Sequence, residues 1–138
     1  MSRTRAIRWV IPACLVLLVA CAGYSEQGIQ TSEHQGLDGG DLTVEINKAN
    51  GSSTKSIEVE AGPDMVLEVD VTLAVGFGTY KIELLGADDE VTLSLEASAG
   101  QTVEGHGQMV TDAFGEASYR VTATSAGKVT YVFVYTVR

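Results

Sequence analysis

The sequence predicts an all-β protein, an antiparallel β-sandwich of seven or eight strands. Three observations carry this expectation. Apolar residues alternate with polar ones at a period of two from Asp41 onward, the mark of half-buried strands. Turn signals separate the alternating runs: "NGSS", "AGPD", "GFG", "GADD", "SAGQ", "DAFG" and "SAGK". No stretch after Cys21 has apolar residues at helical spacing.

The strands follow in order. "DLTVEIN" (41–47) turns Leu42, Val44 and Ile46 to one face, and "KSIEVE" (55–60) does the same with Ile57 and Val59. "VLEVDVTLAV" (66–75) is the clearest, with Leu67, Val69, Val71, Leu73 and Val75 opposite Glu68, Asp70 and Thr72. "YKIEL" points Tyr80, Ile82 and Leu84 inward, "VTLSLEA" points Val91, Leu93 and Leu95, and "YRVTA" points Tyr119, Val121 and Ala123. The last run, "VTYVFVYTV" (129–137), is apolar on both faces. Its aromatics Tyr131, Phe133 and Tyr135 share one side. Alternating aromatics normally mark the buried side; the alternative is an open stripe that stacks on sugar rings or on a partner protein.

The N-terminus has a different character. Arg3, Arg5 and Arg8 precede "WVIPACLVLLVA" (9–20), twelve residues without a charge. A basic start, a short apolar run and small residues form a secretory leader. Twelve residues are too few to cross a bilayer, which takes about 20, and Pro12 interrupts the run. Residues 22–40 are rich in Gly, Ser and Gln. They are read as a flexible arm spanning roughly 24 Å. The expected organisation is a leader (1–20), a lipidated cysteine and tether (21–40), and one β-sandwich (41–138).

"LVAC" (18–21) resembles the lipobox of bacterial lipoproteins. The resemblance implies cleavage before Cys21 and a diacylglycerol on its Sγ, so that the mature chain hangs from the membrane by its first residue. It places the domain outside the cytoplasm, on the cell membrane or the outer membrane. Ala22 after the lipid-bearing cysteine implies the outer membrane in a two-membrane cell. Cys14 leaves with the leader, so residues 22–138 contain no thiol. This excludes disulfides, thiolate catalysis and Cys-ligated zinc from the folded part.

Without Arg3, Arg5 and Arg8, residues 21–138 carry 6 Lys and Arg against 18 Asp and Glu, a net charge of −12. Nucleic acid is excluded as a partner, because phosphate binding requires clustered cations. Anionic lipid head groups would repel so acidic a domain.

"GEASYRVTATSAGKVTYVFVYTV" resembles the closing strands of bacterial immunoglobulin-like domains, with Tyr119 near the start of the penultimate strand. The resemblance implies an immunoglobulin-like β-sandwich. Gly115 stands where that family often has Asp, before the tyrosine. A second resemblance is to chagasin-like inhibitors of papain-type cysteine proteases. It rests on "VEAGPDMVLEVDV", "GTYKIEL" and "FGEASYRVTATSAGKVTYVFVY". It implies inhibition through loops at one end of the sandwich. The chain departs from that family in lacking the Asn-Pro-Thr and Arg-Pro-Trp loop motifs.

No catalytic site is expected. There is no G-x-S-x-G motif, and His106 is the one histidine after the tether. No metal site and no cofactor are assigned. Asp88, Asp89 and Glu90, with Asp64 or Glu104, could cage Ca²⁺, but acidic turn residues ordinarily face water. His34 is read as a solvated residue. The candidate binding loops are "LAVGFGT" (73–79) and "EGHGQMVTDAFG" (104–115), with Gly76, Phe77, Gly78, Thr79, Gly105, His106, Gly107 and Phe114 as site residues. Glycines there let a partner approach the backbone closely. The functional expectation is a non-catalytic, extracytoplasmic binding or structural module with a protein or glycan partner. The alternative is a chagasin-like protease inhibitor.

Overall fold

The computed structural model describes residues 23–138. The leader and Cys21 lie outside the described residues. Seven strands appear in order: β1 Tyr24–Gln27, β2 Gln30–Gly36, β3 Gly39–Glu58, β4 Val66–Leu85, β5 Val91–Ser98, β6 Gln101–Val110 and β7 Glu116–Val137. A short 3-10 turn, Ala87–Asp89, precedes β5.

Three of these strands are far longer than the sequence pattern suggests: β3 and β4 have 20 residues each and β7 has 22. At about 3.3 Å per residue, Tyr119 and Tyr131 on a straight β7 would lie ~40 Å apart. Their ring centroids are instead 5.9 Å apart and their hydroxyls 2.9 Å apart. The strand is bent double. β3 and β4 bend at the same level, where the register slips between Ala49 and Gly51 and between Phe77 and Thr79.

Each long strand therefore belongs to both layers of the sandwich. The first layer runs β2, the first half of β3, the second half of β7, the first half of β4, then β6. The second runs β1, the second half of β3, the first half of β7, the second half of β4, then β5. All pairings are antiparallel. The expected antiparallel sandwich is present, and its connectivity is of the jelly-roll type.

Most of the predicted inward positions are the core; on β5, however, Leu93 and Leu95 are only half-buried, and Val91, expected to face inward, is exposed where the strand begins. Leu42, Val44, Ile46, Leu67, Val69, Val71, Leu73, Tyr80, Ile82, Leu84, Val121, Tyr131, Phe133 and Tyr135 are all buried. The aromatic stripe is core, not an open platform. Tyr131 stacks on Tyr80 at 5.9 Å, and Tyr119 meets Phe133 edge-on at 4.8 Å. The Tyr119 hydroxyl bonds the Tyr131 hydroxyl, which fixes the start of β7 against its own end.

Several expectations need correction. "NGSS", "GFG" and "SAGK" are not turns between strands but bends within β3, β4 and β7. Residues 22–40 are not a free arm from Tyr24 on. β1 pairs residues 24–27 with Gly51–Lys48, and β2 pairs residues 30–36 with Glu45–Gly39. Their side chains are mostly exposed, so backbone pairing holds them, helped in β1 by Tyr24, which packs against the core. Residues 104–110 are likewise no loop but belong to β6.

Candidate functional site

The bends gather at one end of the molecule, the fold end. Gly78 has φ +67°, and a Cβ there would overlap Ser125 O and lie 2.5 Å from Thr124 O. Only glycine lets β4 and β7 turn the corner this close together. The Ser125 N–H donates to Asn50 Oδ1 at 2.9 Å, tying the bend of β7 to that of β3.

Between these bends and β1 lies an open concavity of about 610 Å³. Gln27, Asn47, Lys48, Asn50, Phe77 and Lys128 are among its walls. None of the described residues lining it is acidic, which is unusual in so acidic a chain. Phe77 is 58% exposed, and Lys128 Nζ sits 5.5 Å from its ring centroid. Neither Lys48 nor Lys128 makes an ion pair among the described residues, whereas Lys55, Arg120 and Arg138 pair with Glu26, Glu83 and Glu68.

The candidate residues do not converge. Gly76, Phe77, Gly78 and Thr79 cross the bend of β4. His106 lies on the outer face of β6 opposite Asp70, flanked by Gly105 and Gly107. Those two glycines face inward, where a Cβ on Gly107 would meet Leu93 Cβ at 2.6 Å. They permit the layers to approach rather than a partner. Phe114 is 84% exposed at the tip of a turn at the opposite end of the sandwich, where the Asp112 carboxylate accepts from its N–H at 2.8 Å. A chagasin-like wedge has no basis in this geometry, because neither proposed segment projects as a whole loop. Lys48 and the amides of Asn47 and Gln27 were missed. The basic spacing of Lys48 and Lys128 around Phe77 exists only after folding.

His106 is held on both ring nitrogens, Nδ1 to Asp70 Oδ1 and Nε2 to Glu68 Oε1, each at 2.8 Å. Arg138 and Gln108 also reach Glu68. The bond to Asp70, then that to Glu68, raises the His106 pKa from its ordinary 6.5. The bond from His106 is the main cause lowering Glu68 from its ordinary 4.5. The raised histidine stabilises the fold below its unfolded pKa and loses that effect as pH rises through its folded pKa. The lowered carboxyl stabilises above its unfolded pKa and loses that effect on acidification. The two overlap between about pH 5 and 6.5. His106→Gln is expected to lower Tm slightly in that window and by less at pH 9, as thermal melts across pH would show.

A second cleft of about 390 Å³ opens beside β1 and β2, with Glu26, Lys55, Tyr119 and Tyr131 in its walls. Lys55 Nζ bonds Glu26 Oε1 at 2.8 Å, and Tyr24 donates to the other Glu26 oxygen. Burial pushes the Tyr119 phenol up to about 12 and raises Tyr80 and Tyr131 as well. These phenols stay protonated as hydrogen-bond donors. A third hollow at the far end from the bends is walled by Asp64, Asp88, Asp89, Asp112 and Glu116. Glu104 is not among its walls but lies on β6 opposite Thr72. Among the described residues no group of three or more His, Cys, Asp or Glu side chains is placed to hold a metal ion.

No known family profile matches the chain, and no curated protein matches it. Similar solved structures include a xylan-binding CBM22-1 domain from Paenibacillus barcinonensis, 13% identical, with TM-score 0.41 over 84% of this chain and 85% of that one. A carbohydrate-binding module of lichenase 5A from Cellvibrio mixtus, in complex with cellotriose, is 12% identical with TM-score 0.36, over 83% and 88% of the two chains. The strand pairing itself, rather than these distant likenesses, establishes the fold.

Proposed function

We propose that the chain is an exported lipoprotein whose β-sandwich is a non-catalytic binding or structural module of the cell envelope, held at the membrane through Cys21 and meeting its partner at the fold end. The observation that carries this reading is the abruptness of the junction. "LVAC" closes the charge-free run at residue 21, and Gly23 already accepts a hydrogen bond from the Ser52 N–H at 2.9 Å. Folded sheet thus begins two residues after Cys21. The non-catalytic character is supported by His106, whose ring nitrogens are both taken up by carboxylates and leave none to activate a nucleophile.

The anchor has a direct test. Cys21→Ser is expected to move the protein from the membrane pellet to the soluble or precursor pool, and the wild-type mass to show added diacylglycerol. An unmodified Cys21 in the wild-type protein would remove the reading. A glycan in the fold-end concavity is a second reading, favoured by an exposed aromatic ring beside the amides of Asn47 and Gln27.

A further inference from the structure

The absence of a free arm at residues 24–36 changes how an anchored domain must stand. Cys21 lies outside the described residues, but its covalent reach does not depend on its conformation. Two residues of fully extended chain span at most about 7 Å, and Gly23 is hydrogen-bonded to Ser52 beside the bend of β3. A lipid on Cys21 would hold the fold end against the bilayer rather than leave the domain tens of ångströms away.

The charges are distributed to match. The connections at the far end, residues 36–39, 58–66, 85–91, 110–116 and 137–138, contain nine of the 18 acidic residues and one cation, Arg138. That pole is ~30 Å from the bends, the length of a half-strand of about ten residues. The fold end carries Lys48 and Lys128 around the exposed ring of Phe77, in a concavity lined by no described acid. Exposed aromatic rings and lysines favour the head-group layer, and each lysine near an anionic surface adds attraction. The acidic pole is repelled from the same surface.

We infer that the fold end is a membrane-docking surface, with Phe77, Lys48 and Lys128 seated among the head groups of an anionic bilayer and the acidic pole turned outward. The inference rests on acylation of Cys21 and deepens the proposed function by naming the surface that the concavity meets.

Trp9 is the single tryptophan of the sequence and leaves with the leader. Phe77→Trp and Phe114→Trp therefore each place one tryptophan in the mature lipoprotein, at opposite poles. Both lipidated variants are reconstituted into phosphatidylglycerol vesicles containing brominated acyl chains. The indole of the Phe77→Trp protein is expected to be blue-shifted and quenched several-fold more than that of the Phe114→Trp protein. Adding Lys48→Glu and Lys128→Glu to Phe77→Trp should cut that quenching at least about twofold.

The wild-type chain gives a second measurement that needs no tryptophan. On transfer from detergent micelles to vesicles, modification of Lys48 and Lys128 by a water-soluble amine reagent should slow several-fold, while that of the half-buried Lys81 should change little. Equal quenching at the two poles, or unchanged labelling of Lys48 and Lys128, in protein that floats with the vesicles overturns the docking and leaves the anchor intact. Protein that carries no lipid and fails to float refutes the anchor and the docking together. A shift of the Phe77→Trp emission by soluble cell-wall polysaccharide, without vesicles, overturns the docking in favour of a glycan.

Discussion

Tyr131→Ala is expected to lower stability by about 3–5 kcal/mol, the cost of truncating a fully buried aromatic side chain. Tyr131 is 0% exposed and touches Tyr80, Tyr119 and Phe133. Its ring lies where the second half of β7 meets the opposing layer, so the cavity left behind is bounded by both sheets. The walls around it cannot easily collapse, because each is part of a paired strand. The change also leaves the Tyr119 hydroxyl without its partner. For a domain of this size the melting temperature should fall by roughly 10–20 °C, and the urea midpoint should fall with it. Tyr131→Phe keeps the packing and loses the hydroxyl pair alone, at about 1–2 kcal/mol. If the alanine variant cost no more than the phenylalanine one, the aromatic contacts between the layers would not be the source of stability.

Gly78→Val is expected to be as damaging, for a different reason. The backbone at Gly78 is left-handed, a conformation that costs a β-branched residue about 1–3 kcal/mol. Any Cβ would also overlap the backbone of Ser125. The strain could be relieved only by moving β4 away from β7, which opens the corner that both layers share. A glycine elsewhere isolates the second effect. Gly100 is also left-handed, φ +79°, but a Cβ there would meet nothing within 4 Å. Gly100→Val should therefore cost only the conformational strain. A soluble, folded Gly78→Val protein melting like Gly100→Val would show that the close approach of the two strands is dispensable.

The core was legible because Leu42, Val44 and Ile46 of β3, the runs Leu67–Val75 and Tyr80–Leu84 of β4, and Tyr131, Phe133 and Tyr135 of β7 keep a period of two, and they are buried where the pattern put them. The bends were not. "GFG" and "SAGK" are good turn signals, and nothing local distinguishes a turn that reverses a strand from a corner that carries it into the other layer. β6 escaped because Gly105 and Gly107 occupy inward positions, where alternation would show large apolar residues. β1 and β2 escaped because they contribute pairing and little burial. The same blindness hid the fold-end concavity, since Gln27, Asn47, Phe77 and Lys128 come from four strands. Phe77 itself was singled out, but with His106 and Phe114, which the fold places elsewhere.

The pairing of β3 with β7 sets a schedule for the molecule. Gly39 lies opposite Thr136, and β7 sits between β3 and β4 in both layers. The central strand is thus synthesised after the other six, and neither sheet can close before it arrives. Contacts between such distant segments form slowly. A nascent chain of this kind remains pliant until β7 emerges, and both layers then take shape around it in one late step.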